Sequence, residues 1–345
     1  MKTVSTLLCF LSLTVAQPNP NFNVTLRLDF SSVDALIELS EGKIADANRV
    51  AELRGNQIAA ATSALLAHLN DGVGQNRQPY SPTEFVRELE RLSNGAVTST
   101  DMFGLSATLK YLQQIKILLQ ETKKRQLDRR VVATIEAFFP QNARITASIP
   151  VYFVAMGNEN AAAFVRRVAW ENNLPRFVGE GEGELTIVVN LARSVQYIQE
   201  VQLQFVDMMS TLAHETFHAV FGIYQSSSPV WRQQQLQYAP YWRLAELVQN
   251  EGIAYLISLQ QRSGAQLSAP QVQSAKQALK SLNDALKELT SPSITPARAR
   301  ELIMSANLSG SFEKNYGATA GLLMAYSIDT QLGRTALNET LQNGV

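Results

Sequence analysis

The chain has 345 residues, of which 46% are hydrophobic and 17% charged, and its formal net charge at pH 7 is zero. This composition can bury a sizeable core and differs from that of disordered chains. The lack of a basic surplus argues against nucleic acid or an anionic membrane as a partner, because both attract proteins through positive charge.

The first sixteen residues predict a secretory signal peptide, residues 1–16. Lys2 gives a positive start, residues 4–15 form a short apolar run, and Ala16 offers a small residue for cleavage. The run is shorter than the roughly 20 apolar residues of a membrane span. Cys9, the one cysteine, lies in this leader. A mature, secreted chain would therefore contain neither disulfides nor thiolate zinc ligands.

Beyond the leader, residues 17–140 predict a helical N-terminal region. A linker rich in Pro and Asn at residues 19–23 precedes a long helix over residues 31–71, whose apolar residues recur at helical spacing. Ser81 followed by Pro82 is typical of a helix start. The other helices of this region are predicted over residues 100–121 and 129–139.

Residues 141–345 predict a second region, in which a small β-sheet precedes further helices. β-branched and aromatic residues predict strands over residues 145–156 and 185–191, with a helix over residues 161–170 between them. The remaining helices are predicted over residues 196–222, 241–262, 271–289, 296–306 and 316–342, the last with a break near Gly333. The chain is thus predicted to have an α+β fold that is mostly α, and no segment after the leader predicts a membrane span.

The strongest chemical signal is the pentapeptide from His214 to His218, which has the pattern HExxH. Histidines four residues apart lie on one face of a helix and can both reach a zinc ion at about 2 Å. Glu215 lies about 100° round the helix from His214, so it can reach a water molecule at the metal without ligating the metal. Residues 206–221 contain no Lys or Arg, which predicts a buried helix. The alternative is a pair of hydrogen-bonded core histidines without a metal.

A catalytic zinc takes three protein ligands and keeps one position open. The metzincin pattern requires a histidine six residues after the motif, and Tyr224 stands there, so that class is excluded. His68 is the only other histidine; it lies near the end of an early helix, where the helix dipole favours a histidine without any metal. The third ligand is therefore predicted to be a carboxylate.

Two glutamates on the next predicted helix are candidates for this carboxylate. Glu251 is the first candidate, because its small neighbours Gly252 and Ala254 would let its helix approach the metal helix closely. Glu246 is the rival; five residues earlier, it points about 140° away, so only one of the two can face the metal. An ordinary solvated glutamate remains the alternative for Glu251.

An HExxH helix followed by a helix with Asn-Glu-Gly-x-Ala resembles the gluzincin zinc metallopeptidases, the thermolysin-like clan, and most closely its poorly characterised zinc-dependent peptidase families. The resemblance covers about residues 149–341. It includes the motifs Thr186–Asn190, His214–His218, Asn250–Leu256, Tyr316–Gly317, Met324–Ile328 and Gly333–Leu337.

This resemblance implies that His214, His218 and Glu251 bind one zinc ion per chain and that Glu215 is the general base. It also suggests Tyr316 as a donor to the oxyanion, because gluzincins often place a tyrosine on a later helix; a packing role for Tyr316 is the alternative. The chain departs from thermolysin-type enzymes at Tyr255, which stands where those enzymes carry an aspartate that orients a histidine.

The predicted function is that of a secreted zinc metallopeptidase that hydrolyses peptide bonds in a peptide or protein substrate. The strand at residues 186–190 would lie beside the cleft, where an extended peptide could pair with its edge; a purely internal strand is the alternative. Two other hypotheses stay open. The chain could be a secreted, catalytically silent helical protein that binds zinc and a partner, or a metal-free scaffold with a vestigial site.

Overall fold

The structure, a computed structural model, describes residues 19–70, 80–96, 101–157, 162–179, 181–236, 240–263, 266–307, 311 and 314–344. The predicted leader and Cys9 lie outside the described residues. So does the side chain of His68, whose backbone lies in a helix.

The described residues form one mixed sheet and a larger number of helices. The strands are β1 (Phe22–Asp29), β2 (Ile145–Val154), β3 (Ala163–Glu171), β4 (Leu174–Phe177) and β5 (Glu184–Asn190). The helices are α1 (Ser31–Ser40), α2 (Ala47–Ala51), α3 (Arg54–Asn70), α4 (Pro82–Ser93), α5 (Leu105–Lys110), α6 (Leu112–Lys124), α7 (Leu127–Glu136), α8 (Leu191–Ser194), α9 (Val201–Ser227), α10 (Pro229–Leu236), α11 (Pro240–Ser263), α12 (Ala269–Leu289), α13 (Pro296–Ser305), α14 (Tyr316–Gln331) and α15 (Arg334–Asn343). The predicted α+β fold that is mostly α is confirmed.

The sheet has the strand order β1-β2-β5-β3-β4. β1, β2 and β5 are parallel, whereas β3 runs antiparallel to both β5 and β4. The last residues of β5 and six consecutive residues of β2 are buried, as expected for central strands covered by helices. β1 alternates between buried and exposed side chains over Phe22–Arg27, which fits an edge strand with one covered face.

Several sequence predictions are wrong in this part of the chain. Residues 19–23 do not form a linker throughout, because β1 begins at Phe22, so the N-terminal region contributes a strand as well as helices. The segment predicted as a helix over residues 161–170 contains strand β3 instead. The single helix predicted over residues 31–71 is three helices, α1 to α3.

The two strands predicted within residues 145–156 and 185–191 are confirmed as β2 and β5, but β5 is not at an edge. It pairs with β2 on one side and with β3 on the other. An extended peptide therefore has no free edge of β5 to pair with, and that prediction is wrong. The predicted division of the chain at residues 140 and 141 stays a prediction; β1, from the N-terminal side of it, pairs along its length with β2.

The long helix α9 links the sheet to the C-terminal helices. It packs against β2, β3 and β5, against α6 and α7 from the N-terminal region, and against α11. Apolar α9 residues such as Phe205, Leu212 and Phe217 are fully buried in the main core. A second, smaller core joins α11 to α12, α13 and α14. Among the described helices, none is long and apolar enough to cross a membrane.

Two glycines hold α11 against α14 at a backbone-to-backbone contact. A Cβ atom added at Gly252 would lie 2.4 Å from the carbonyl carbon of Gly321, and one at Gly321 would lie 2.1 Å from the carbonyl oxygen of Val248. Both distances are far below van der Waals contact, and the obstacles are main-chain atoms. Gly252 thus allows close approach as predicted, but the helix that approaches it is α14 rather than the HExxH helix α9.

Replacing Gly321 with alanine is expected to lower the free energy of unfolding by about 3 kcal/mol, near the upper end for overpacked cores, because no flexible side chain can yield. Gly222→Ala, in the C-terminal part of α9, is the matched control, since its Cβ would meet nothing within 4 Å. That variant should be neutral or more stable by up to about 1 kcal/mol. Urea unfolding monitored by circular dichroism gives both values; equal stabilities for the two variants would contradict the close contact.

Candidate metal centre

The HExxH segment lies in the middle of α9, between the sheet and α11. Helix α9 spans 27 residues, and the turns around the motif are buried. His214 and His218 lie on the face that meets α11, in an edge-to-face arrangement with ring centroids 4.6 Å apart and ring planes at 84° to each other. The helix is therefore buried as predicted, and its two histidines lie on one face as predicted.

Helix α11 brings Glu251 to the two histidines, so that three side chains converge on one point. The Nε2 atoms of His214 and His218 are 2.9 Å apart. Oε2 of Glu251 lies 3.7 Å from Nε2 of His214 and 3.6 Å from Nε2 of His218. Within the described residues, this trio is the group of His, Cys, Asp and Glu whose ligand atoms are close enough together to hold a metal ion.

The spacing of these three atoms can be compared with that of a zinc site. Metal–ligand distances of about 2.0–2.1 Å in a tetrahedron place the ligand atoms about 3.3 Å from one another. The observed separations of 2.9, 3.6 and 3.7 Å lie on both sides of that value. Two imidazoles and one carboxylate are also the donor set of zinc hydrolases with an open fourth position. The residues present therefore fit a zinc ion.

Both histidine rings are held through hydrogen bonds on the side away from Glu251. Nδ1 of His218 lies 2.8 Å from Oδ1 of Asn250, an acceptor that requires this nitrogen to carry the proton. The ring of His214 is hydrogen-bonded by the backbone of Ala254, and its Nδ1 lies 3.4 Å from Oγ of Ser258. Such partners fix the tautomer and leave Nε2 as the lone-pair donor that a metal needs.

The carboxylate of Glu251 is oriented by an asparagine that follows another helix, α13. Nδ2 of Asn307, just after α13, donates to Oε1 of Glu251 at 2.6 Å, which leaves Oε2 directed at the histidines. Neither asparagine was predicted from the sequence to orient a ligand. The position of Asn250 directly before Glu251 in the motif could have indicated a role at the site. Nothing comparable indicated Asn307, because it is 56 residues away along the chain.

Electrostatics favours one proton on the histidine pair and places it on His218. Burial, together with the neighbouring charge of His218, lowers the pKa of His214 to about 3. Burial also opposes the charging of His218, but the carboxylate of Glu251 outweighs it and raises the pKa of His218 to about 9. For Glu251 itself, burial is again outweighed, and the charge of His218 holds its pKa below the usual range. A metal ion would take the place of the shared proton, as metal binding to histidines does in general.

Glu215 lies next to the trio without belonging to it. Burial raises its pKa to about 7, although the charges of His218 and Arg166 oppose that shift. Among the described residues, no hydrogen bond or ion pair holds its carboxylate, and it lines a cavity of about 330 Å³ together with His214. A carboxyl group of this pKa beside an open cavity can accept and return a proton near neutral pH.

Glu246 and Tyr255, which were also considered from the sequence, make different contacts. Glu246, the rival of Glu251, accepts a hydrogen bond from Gln225 at 2.9 Å and is not part of the trio. Tyr255 packs the edge of its ring against His214, with centroids 4.7 Å apart, and so supports that histidine by contact where thermolysin-type enzymes use a carboxylate.

Tyr316 is not brought to the trio. Its hydroxyl donates to the carbonyl oxygen of Leu302 at 2.7 Å, and its ring packs against the second core formed by α11 to α14. Burial raises its pKa to about 12. These contacts fit the alternative, a packing aromatic, and the role as an oxyanion donor stays a prediction.

Residues 53–345, well over half of the chain, match a protein-family model described as "Putative zinc dependent peptidase (DUF5700)". The match contains all of α9 and α11, and so the whole histidine–glutamate trio. No curated protein and no solved structure matches the chain.

Proposed function

The chain belongs to this DUF5700 family, and on that premise we propose that it is a zinc-dependent peptidase whose metal is held by His214, His218 and Glu251. The observation that carries the proposal is the spacing of the three ligand atoms, with the carboxylate of Glu215, which has no hydrogen-bond or ion-pair partner among the described residues, beside them. A purely structural metal site needs no such carboxylate and keeps no open side.

Zinc, when bound, supplies a Lewis acid that polarises a carbonyl group and lowers the pKa of a water molecule. Glu215 acts as the general base: its carboxylate accepts a proton from the attacking water and then donates it to the nitrogen of the leaving amine. Asn250 and Ser258, with the backbone of Ala254, hold the histidine rings in the required tautomer.

An extended substrate would lie along the first half of β3 rather than along β5. Residues 163–168 of β3 pair with β5 on one side. On the other side β4 covers residues 168–171, and the N–H of Val178 donates to the carbonyl oxygen of Arg167 at 3.0 Å, so residues 163–166 are the part without a strand partner among the described residues. The open part of this edge begins next to Ala162, which lines the same cavity as Glu215. Arg166 already donates to the carbonyl oxygen of Val165 at 3.0 Å, so a peptide would have to share or displace that contact.

Two further parts of the proposal rest on sequence alone. Membership of the gluzincin clan rests on the motifs around His214 and Glu251. Export rests on the leader-like residues 1–16, which lie outside the described residues. The alternative function, a silent zinc-binding interaction protein, shares the metal site but makes no use of Glu215.

Removal and return of the metal tests the proposal. The purified protein should carry about one zinc per chain, and 1,10-phenanthroline should abolish cleavage of a quenched fluorescent peptide library. One equivalent of zinc should restore cleavage and raise the midpoint of thermal unfolding, because a ligand of the native state stabilises it. Cleavage that is indifferent to the chelator would refute the proposal, and stoichiometric zinc without any cleavage would favour the silent alternative.

A further inference from the structure

The cavity that Glu215 lines has both polar and apolar walls, and its lining extends from His214 along α9 and α11 to Asp207 and Arg262. Its volume is about 330 Å³, the space of roughly ten water molecules at about 30 Å³ each. Besides His214 and Glu215, its walls include Asp207 and Thr211 from α9, Arg262 from α11, and Arg193 from α8. It can therefore hold one polar side chain or the end of a peptide.

Arg262 is fixed in the wall by two contacts to α9. Its Nε forms an ion pair with Oδ1 of Asp207 at 2.8 Å, and its Nη2 donates to Oγ1 of Thr211 at 2.9 Å. A guanidinium group carries five N–H donors in a planar fork, so these contacts leave donors with which it can bind a further acceptor. Asp207 and His214 lie on the same side of α9, seven residues and about 10 Å apart.

Arg193 supplies a second positive charge from another wall. Its Nη1 donates to Oε1 of Gln196 at 2.7 Å, and its guanidinium lies 4.8 Å from the centre of the Tyr197 ring. Outside the metal trio and Glu215, the charged side chains that line the cavity are therefore two arginines and one aspartate. This balance favours an anionic occupant.

We propose that this cavity binds a carboxylate of the substrate, next to the peptide bond that is cleaved. The inference rests on the proposed peptidase function and adds a substrate class to it. The guanidinium of Arg262 contacts Asp207 and Thr211, which lie one to two turns of α9, about 5–10 Å, from the metal ligand His214. One or two extended residues span about 3–7 Å. A carboxylate from an acidic side chain or from the substrate's own C-terminus can bridge the two positions.

Other occupants fit less well. An apolar side chain would displace water from the remaining N–H donors of both guanidinium groups without replacing it by an acceptor, which is unfavourable. A lysine or arginine side chain would find Asp207 already paired with Arg262 at 2.8 Å and would be repelled by both arginines. A carboxylate can accept several N–H donors at once, in the paired geometry that guanidinium groups favour.

Two matched sets of peptides test the inference. In the first, glutamate is compared with glutamine at each position around the cleaved bond; in the second, a free C-terminal acid is compared with its amide. With the zinc-loaded protein, kcat/KM should be about tenfold higher for the carboxylate form in one of the two sets, as expected for one charge pair near the surface. The set that responds identifies the source of the carboxylate, and no preference in either set overturns the inference.

Variants of the lining residues test whether the cavity causes the carboxylate preference. Arg262→Gln should reduce the tenfold preference to about twofold, and Arg193→Gln should reduce it as well. Asp207→Asn removes the carboxylate that pairs with Arg262 and should raise the preference at least twofold, a change of opposite sign that misfolding could not produce. Arg129→Gln, at an exposed position of α7, is the control and should leave the preference unchanged. A preference that ignores both arginines and Asp207 would overturn the assignment.

A binding measurement separates this inference from the proposed function. Fluorescence anisotropy of a labelled glutamate peptide and its glutamine twin, with chelator-treated protein, reports the cavity without hydrolysis. Tighter binding of the glutamate peptide that is lost in Arg262→Gln supports the carboxylate site even if no peptide is cleaved. Cleavage that shows no preference for the carboxylate form in either matched set contradicts the carboxylate site and leaves the peptidase function standing.

Discussion

Glu215→Gln is expected to lower kcat by about 10²–10⁴-fold while the protein keeps its zinc and its fold. Glutamine has the shape of glutamate but cannot accept a proton from water at neutral pH. The metal trio does not include residue 215, so zinc affinity should change little. The variant should not be less stable either, because the pKa of Glu215 is already raised to about 7 by burial, which means that the environment disfavours its charge.

Three measurements on the same sample check this result: kcat for the best library peptide, zinc content by mass spectrometry, and the midpoint of thermal unfolding. The expected pattern is a large loss of kcat with zinc content and midpoint unchanged. Unchanged kcat would show that another group takes the proton. A simultaneous loss of zinc would instead show that Glu215 supports the metal, which the present geometry does not allow.

The sequence predicted the parts of the candidate site that depend on local spacing. His214 and His218 are four residues apart, so their meeting on one helix face follows from the helical repeat alone. The position of Glu215, one residue after His214, follows from the same helical repeat. The prediction of Glu251 also required that α11 packs against α9. The choice of the third ligand was limited to carboxylates, because no cysteine and no suitably placed histidine was left to complete the ligand set.

The groups that orient the ligands could not be predicted in the same way. Ser258 meets His214 across 44 residues of sequence, and Asn307 meets Glu251 across 56. Such meetings are set by the angles at which α9, α11 and α13 cross, and these angles depend on packing over the whole C-terminal part. The spacing of residues along the chain does not predict these crossing angles.

The errors in the fold have a similar cause. In β3 the segment Phe164-Val165-Arg166-Arg167-Val168 has apolar residues at a spacing that suits a helix as well as a strand, and pairing with β5 decides between the two. β1 does alternate between buried and exposed residues, but Pro and Asn residues precede it, and its partner β2 begins more than 120 residues later. In both segments a non-local neighbour overrides an ambiguous local pattern.

Glu251→Gln is expected to weaken zinc binding by more than about 100-fold and thereby to abolish peptidase activity at ordinary zinc concentrations. Loss of a partner in the outer shell of a zinc site typically weakens binding by about 10–100-fold, and a ligand in direct contact with the metal should count for more. The neutral amide oxygen of glutamine is a much poorer ligand than a carboxylate, and the charge that balances the two imidazoles would be lost. Competition with a fluorescent zinc chelator measures the affinity directly.

Glu246→Gln is the matched control, because it makes the same chemical change five residues earlier on the same helix. Glu246 accepts a hydrogen bond from Gln225 at 2.9 Å, and the oxygen of a glutamine side chain can accept that bond equally well. The control should therefore keep the zinc affinity of the native protein and the rise in unfolding midpoint that zinc produces, whereas zinc should leave the midpoint of the Glu251 variant unchanged. The reverse outcome, with zinc lost from the Glu246 variant alone, would move the third ligand to the rival position and require α11 to turn by about 140° relative to α9.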